Sequence, residues 1–316
     1  MIASDEVLRA LLSERIDHSA LFPPTALELD AALRKSADLP RTLKRPYIMG
    51  TDLVITEDEL RKVDSESLRK SGIASELRIS AINTVPLDNS SAGRFTEVIK
   101  AIGDYNSRSG SQMPRGHVST LESKFRSEIA LGKEFSELLK RIAHLAFETN
   151  LAIFLEPDLS QSNWEDILAG TTRSLAECNI CVSPGIAGLK CRTSGDTAIG
   201  PARLAKAIEQ ANEYNLPFKV TGGLHYPLAS EERPLGFLSL SAAVALSRHF
   251  GLDAEKTSEI LTIRDISELS VEGRLSWREL HLSPDETYTA VSSPWFTIGC
   301  CNPSIQDEEL EKLLMN

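Results

Sequence analysis

From residue 46 to about residue 263 the sequence keeps one rhythm, a short apolar run closed by turn residues and then a longer amphipathic segment. Apolar runs of about four to eight residues read as strands, and apolar residues recurring at helical spacing read as helices. The runs at 46–54, 77–85, 117–125, 151–159, 186–193 and 217–222 are predicted strands. Between them fall predicted helices over 56–70, 92–106, 161–178 and 236–251. A further helix carries Phe135, Leu138, Leu139, Ile142, Leu145 and Ala146 on one face, and another, opening at Pro201, carries Leu204, Ile208 and Ala211. Strict alternation of this kind predicts a parallel sheet covered by helices.

After residue 263 the rhythm weakens. Residues 266–280 read as a hairpin turning at Glu272–Gly273, 283–293 as a short helix, 295–301 as a strand and 305–315 as a last helix. Counting the hairpin as one strand makes eight, which predicts an α/β fold of the (β/α)8 TIM-barrel type. An N-terminal helical extension over 1–45 packs on the barrel over 46–316, and the hairpin is a late insertion. In the extension, 4–15 and 25–36 read as helices and the stretch between them as a loop. Within that loop "LFPP" is expected to plug a small core, with a lid or a dimer contact as the alternatives.

The formal net charge of −11, with no long basic run, argues against nucleic acid or an anionic membrane as partner. The acidic start lacks the cationic region and apolar core of a signal peptide, and no stretch of about 18 apolar residues follows. A cytoplasmic location is expected, with self-association left open. Five cysteines are an odd number and a low density, so reduced thiols are expected, and Cys178-x2-Cys181 has no second pair at zinc-finger spacing.

Within the predicted strands, alternation places charge on the inside. In "GLKCRT" Lys190 and Arg192 share one face and Leu189 and Cys191 the other. The apolar face must meet the helices, so the two cations point into the barrel. The same reasoning turns Lys219 and Thr221 inward in "FKVTG", groups Glu122 with Thr120 and Lys124, and leaves Glu156 at the carboxyl end of its strand before Pro157. In such barrels reaction sites lie at the carboxyl ends of the strands. Unpaired buried charge is costly, so this cluster is either a structural ion-pair network or a site. Gly195 and Gly222–Gly223 follow the charged strands, where they serve a tight turn or let N–H groups approach an anion.

At these residues the chain resembles deoxyribose-phosphate aldolase, a class I aldolase with a (β/α)8 barrel. "KCRTSG" is similar to that family's Lys-Thr-Ser-Thr-Gly strand end and "KVTGG" to its Lys-Pro-Ala-Gly-Gly segment. The resemblance implies a Schiff-base lysine at Lys190 and a second lysine at Lys219. It covers about 40 residues. Arg192 stands where the family has a small residue, no aspartate matches its acidic partner, and the lysines count to strands five and six where the family has them on six and seven. More broadly, "DHSALFPPTALELDAALR", "GLKCRTSG", "FKVTGGLHYPL", "GFLSL" and "WFTIGCCNPSIQDEEL" resemble, in the same order, segments of an uncharacterised bacterial protein family, which implies no function.

A lysine at its free pKa of about 10.4 is cationic and must be deprotonated to attack a carbonyl. The expected mechanism has Lys190 forming a Schiff base, with Arg192 and Lys219 lowering its pKa. Glu156 serves as general acid or base, with Glu122 second. Arg192, Thr193, Thr221, Gly222, Gly223 and His225 hold the phosphate or carboxylate of a small anionic metabolite. The expected class is a carbon–carbon lyase needing no cofactor and no metal. One alternative is an isomerase or epimerase in which Glu156 takes a proton beside a carbonyl and a lysine stabilises the enolate. A metal version would use Glu122, Glu156, Asp158 and His225, without a compact ligand motif. The other alternative is a non-catalytic barrel binding an anionic metabolite.

Overall fold

A computed structural model describes residues 5–88 and 90–315, without the side chains of residues 49–51 and 133. Residue 4, the expected start of the first helix, lies outside the described residues. Eight parallel strands close into a barrel: β1 (Ile16–His18), β2 (Met49–Thr56), β3 (Glu76–Leu87), β4 (Arg115–Phe125), β5 (Ala152–Glu156), β6 (Ala187–Arg192), β7 (Phe218–Thr221) and β10 (Phe296–Cys300). Strands β8 (Leu275–Trp277) and β9 (Leu280–Leu282) form a separate antiparallel hairpin.

The barrel expectation holds, but two of its parts are corrected. The segment 1–45 is not only an extension, because Ile16–His18 pairs with β10 on one side and β2 on the other and is the strand that closes the ring. Three residues are too short a run for alternation to reveal. The hairpin counted as a barrel strand lies outside the ring. Its strands turn at Arg278–Glu279, while Glu272–Gly273 makes an earlier turn under the Ser270–Ser276 bridge. Lys190 therefore lies on the sixth barrel strand and Lys219 on the seventh.

Outward-facing residues of the strands, such as Leu121, Ile153, Leu189, Cys191, Val220 and Ile298, are buried under the helices. The helix Lys133–Glu148 buries Phe135, Leu138, Leu139, Ile142 and Ala146, as its period requires. Helix Phe237–Phe250 is buried almost all round, since helices Ala254–Leu261 and Pro284–Ser292 cover the face turned away from the barrel. The predicted helix over 56–70 is broken into Glu57–Leu60 and Ser65–Lys70, the second opened by a capping box at Asp64. Leu21 of "LFPP" packs against the core. All five cysteines are free, and among the described residues no helix is long and apolar enough to cross a membrane.

Candidate active site

Lys190 and Lys219 are register partners on neighbouring parallel strands, both pointing inward. Adjacent strands are about 4.8 Å apart, so two ammonium groups at that separation repel unless an anion lies between them. Glu122 supplies it from β4. Its Oε2 lies 2.8 Å from Lys190 Nζ and its Oε1 accepts from Lys219 Nζ at 2.6 Å. Ser80 Oγ donates to the same Oε1 at 2.5 Å, and Thr120 Oγ1 donates in turn to Ser80.

Each lysine has a second carboxylate. Glu156 Oε2 is 2.7 Å from Lys190 Nζ, and Asp17 Oδ2 accepts from Lys219 Nζ at 2.5 Å. Arg192 caps the row, its Nε and Nη2 bonding the two oxygens of Glu156 at 2.6 and 3.1 Å. Lys190, Lys219, Glu122 and Glu156 are 3, 2, 1 and 3 % exposed, so the network is shielded from water. Only at its edge does it meet solvent, through partly exposed Arg192 and through Lys124, whose Nζ is 3.8 Å from Glu156. Three carboxylates thus face three buried or half-buried cations, the balance that buried charge requires.

The electrostatics follow from that order. Burial alone would raise the Glu122 carboxyl, but Lys190 and Lys219 outweigh it and hold it well below the usual range. Burial is likewise overcome at Glu156 by Lys190 and Arg192. For Lys219 burial would favour the neutral amine, yet Asp17 and Glu122 keep it cationic. Asp17 goes the other way. Burial pushes its carboxyl up to about 6 against the pull of Lys219, with Asp52 and Glu122 adding to the rise. Its Oδ1 is buried with no hydrogen-bond partner, as is Thr297 Oγ1 on the strand beside Lys219.

The expected catalytic residues Lys190, Lys219, Glu156 and Glu122 therefore meet, and Arg192 joins them. The expected electrostatic role of Arg192 and Lys219 is corrected, because neither stands against Lys190 as a bare cation. Glu122 separates the lysines and Glu156 engages Arg192. The other expected residues behave differently. Thr193 Oγ1 donates to the Gly222 carbonyl and ties the β6 and β7 ends together. Thr221 faces inward beside Gly299, against which its Oγ1 is packed. Gly222 and Gly223 have φ of 101° and 73°, and a Cβ on Gly222 would lie 2.3 Å from Ser194 Oγ, so the turn demands glycine. His225 meets the thiols of Cys300 and Cys301 at 3.5 and 3.6 Å rather than a carboxylate.

Asp17 is the residue that sequence reasoning missed. In "RIDHSAL" it lacked a strand long enough to show which way it pointed. Asp158 is occupied in its own turn, accepting from Ser160 and Gln161. Among the described residues no group of three or more His, Cys, Asp or Glu side chains is arranged to hold a metal. A cavity of about 820 Å³ lies elsewhere, outside the barrel along helix Ala92–Ser109, and none of the network residues lines it. Its walls mix apolar side chains with surface charged ones such as Arg61, Arg94 and Glu97.

The fold and this row of lysines and carboxylates define a (β/α)8 barrel with a charged centre among its strands. No protein-family model matches the chain, and no curated protein matches it. Among solved structures it is similar to a D-psicose 3-epimerase, 10% identical with a TM-score of 0.43 over 72% of this chain and 80% of that one. It is also similar to a sugar phosphate isomerase/epimerase from Parabacteroides distasonis, 11% identical, TM-score 0.44, over 79% and 94%. A Thermobacillus composti GH10 xylanase is 13% identical, TM-score 0.37, over 91% and 98%. At these identities the likeness is one of fold.

Proposed function

We propose that the barrel is an isomerase or epimerase that moves a proton beside the carbonyl of a small phosphorylated or carboxylated compound. The observation that carries this is the placement of each lysine between two carboxylates. Ion-paired in this way, the lysines are placed to stabilise a developing enolate oxygen rather than to attack as free amines. Lys190 donates to the substrate oxygen. Glu156, at the end of β5, takes the proton from carbon and returns it to the neighbouring carbon on the same face, or, for inversion, releases it to solvent while Lys219, resupplied by Asp17, protonates the other face. The substrate's anionic group binds Arg192 and Lys124 at the mouth. That contact draws Arg192 from Glu156 and makes the carboxylate a stronger base. Asp17, poised near neutrality, exchanges a proton with solvent or substrate through Lys219.

A second reading is a class I aldolase with an imine at Lys190. It is favoured by the place of the two lysines on the sixth and seventh strands and by Asp17 as an acidic partner of Lys219. The readings separate on one variant. With a panel of small phosphorylated and carboxylated ketones and aldehydes in D2O, the proton-transfer reading expects deuterium to enter beside the carbonyl. Lys190→Met should lose about 10²–10³-fold in rate, and Lys190→Arg, which keeps the cation, should retain part of it. A borohydride-trapped adduct on Lys190, with no exchange in Lys190→Arg, would transfer the assignment to the aldolase. Absence of exchange, cleavage and adduct across the panel would overturn both.

A further inference from the structure

At the opposite, N-terminal face of the barrel lie two more cations, buried Arg15 and partly buried Arg248, and among the described residues no carboxylate pairs with either. Arg15, 5 % exposed, immediately precedes β1, and Arg248 lies in the last turn of helix Phe237–Phe250. Both grip the short segment that leads into β10. Arg15 Nη2 donates to Ser292 Oγ at 2.5 Å, and Arg248 Nη1 donates to the carbonyls of Ala290 and Pro294 at 2.9 and 2.6 Å. Arg248 Nε bonds Asn212 Oδ1 at 3.0 Å. Every one of these partners is neutral. Among the described residues neither guanidinium forms an ion pair, and Arg15 Nε and Arg248 Nη2 are buried without any hydrogen-bond partner.

Guanidinium groups stay charged in proteins, so this arrangement leaves two like charges near one another with unused N–H donors. Buried charge without a counter-charge costs several kcal/mol. The strain registers at Arg248, which burial and the neighbouring Arg15 lower to about 10. Glu14, beside Arg15 in sequence, is exposed and makes no ion pair with it. Glu14 and Tyr288 act on Arg15 only through space, so a contacting counter-charge is left to come from outside the chain, and two spare N–H groups beside a serine hydroxyl suit an oxygen-rich anion that accepts several bonds at once. Half-exposed Tyr288, whose ring lies 5.8 Å from the Arg15 guanidinium, marks an open edge.

We propose that Arg15 and Arg248 form a binding site for a small inorganic oxyanion of the phosphate or sulfate class, on the face of the barrel opposite the active site. The bound anion would join the end of helix Phe237–Phe250, the segment before β10 and the entrance to β1, two residues ahead of Asp17. The inference is independent of the catalytic reading.

The test titrates the full-length chain with inorganic phosphate at constant ionic strength and follows the unfolding temperature. A saturable rise is expected in the wild type and in Arg192→Gln, whose lesion lies at the barrel mouth. In Arg248→Gln the apparent affinity should fall about tenfold or more, the loss of one charge-assisted contact. Equal titrations in wild type and Arg248→Gln, or loss of the rise in Arg192→Gln alone, would overturn the proposal. Should Arg248→Gln not fold, wild-type crystals grown with selenate decide it: a selenium anomalous peak between the two guanidinium groups supports the site, and its absence at saturating selenate removes it.

Discussion

The two ends of the barrel solve the burial of charge in opposite ways. Among the strand ends, Lys190, Lys219 and Arg192 each find carboxylates from the chain itself, contributed by Asp17, Glu122 and Glu156 on three other strands. At the underside Arg15 and Arg248 find only a hydroxyl, an amide oxygen and backbone carbonyls. A balanced network holds its members tightly and changes when one charge is removed or displaced. An unbalanced pair keeps donors in reserve, which is the ground of the proposed oxyanion site. Proximity of charges is common to both, so the presence or absence of facing carboxylates is what separates them.

Removing the central charge of the balanced end has the largest expected effect on stability. Glu122→Gln leaves two register-paired ammonium groups facing a neutral amide, and breaking a buried ion pair from one side costs about 3–5 kcal/mol. Urea denaturation checks this, and a loss below about 1 kcal/mol would mean that the lysines relax apart and the network is looser than its distances imply.

Asp17 offers a pH test of smaller size. Its folded-state carboxyl titrates near 6, above the ordinary value of 3.8, so between those limits the folded protein holds a proton that the unfolded chain has released. Stability contributed by this group is therefore present at acid pH and is lost as pH rises from about 4 through 6, by up to about 3 kcal/mol. Glu122 and Glu156, both lowered, act in the other direction, giving stability that is lost only as pH falls below the ordinary carboxylate range. In Asp17→Asn the decline between pH 4 and 6 should flatten relative to the wild type, measured by denaturant midpoints across that range. An unchanged slope would show that Asp17 is ionised throughout. The smallest effect is expected at the rim, where Lys124 is half exposed and 3.8 Å from Glu156. Lys124→Ala should change stability by less than about 1 kcal/mol while raising KM for an anionic substrate, and a larger stability loss would place it inside the network.

Much of the charged centre was legible because its residues lie on strands long enough to alternate. In "GLKCRT" and "FKVTG" apolar neighbours on the opposite face left the cations only one direction to point. Glu122 and Glu156 followed from the same argument, though nothing in their own strands revealed that Glu122 would reach both lysines. Asp17 was not legible because a three-residue strand gives alternation nothing to repeat. The β8–β9 hairpin misled the strand count for the converse reason: its pattern is a genuine strand pattern, and only pairing tells whether a strand joins the ring. His225 was placed correctly beyond β7, but its loop folds toward Cys300 and Cys301, a choice made by the packing of two strand ends far apart in sequence.

Local order of polar and apolar residues was sufficient to determine a parallel sheet covered by helices and the inward direction of Lys190, Lys219, Arg192, Glu122 and Glu156, while closure of the ring rested on a strand it did not reveal. Tertiary structure alone decided who pairs with whom, because ion pairs form across the lumen between strands separated by as many as 202 residues, as Lys219 and Asp17 are. Periodicity governs which way a side chain leaves its own strand. The distance between two such side chains is set by ring closure, which depends on every strand at once.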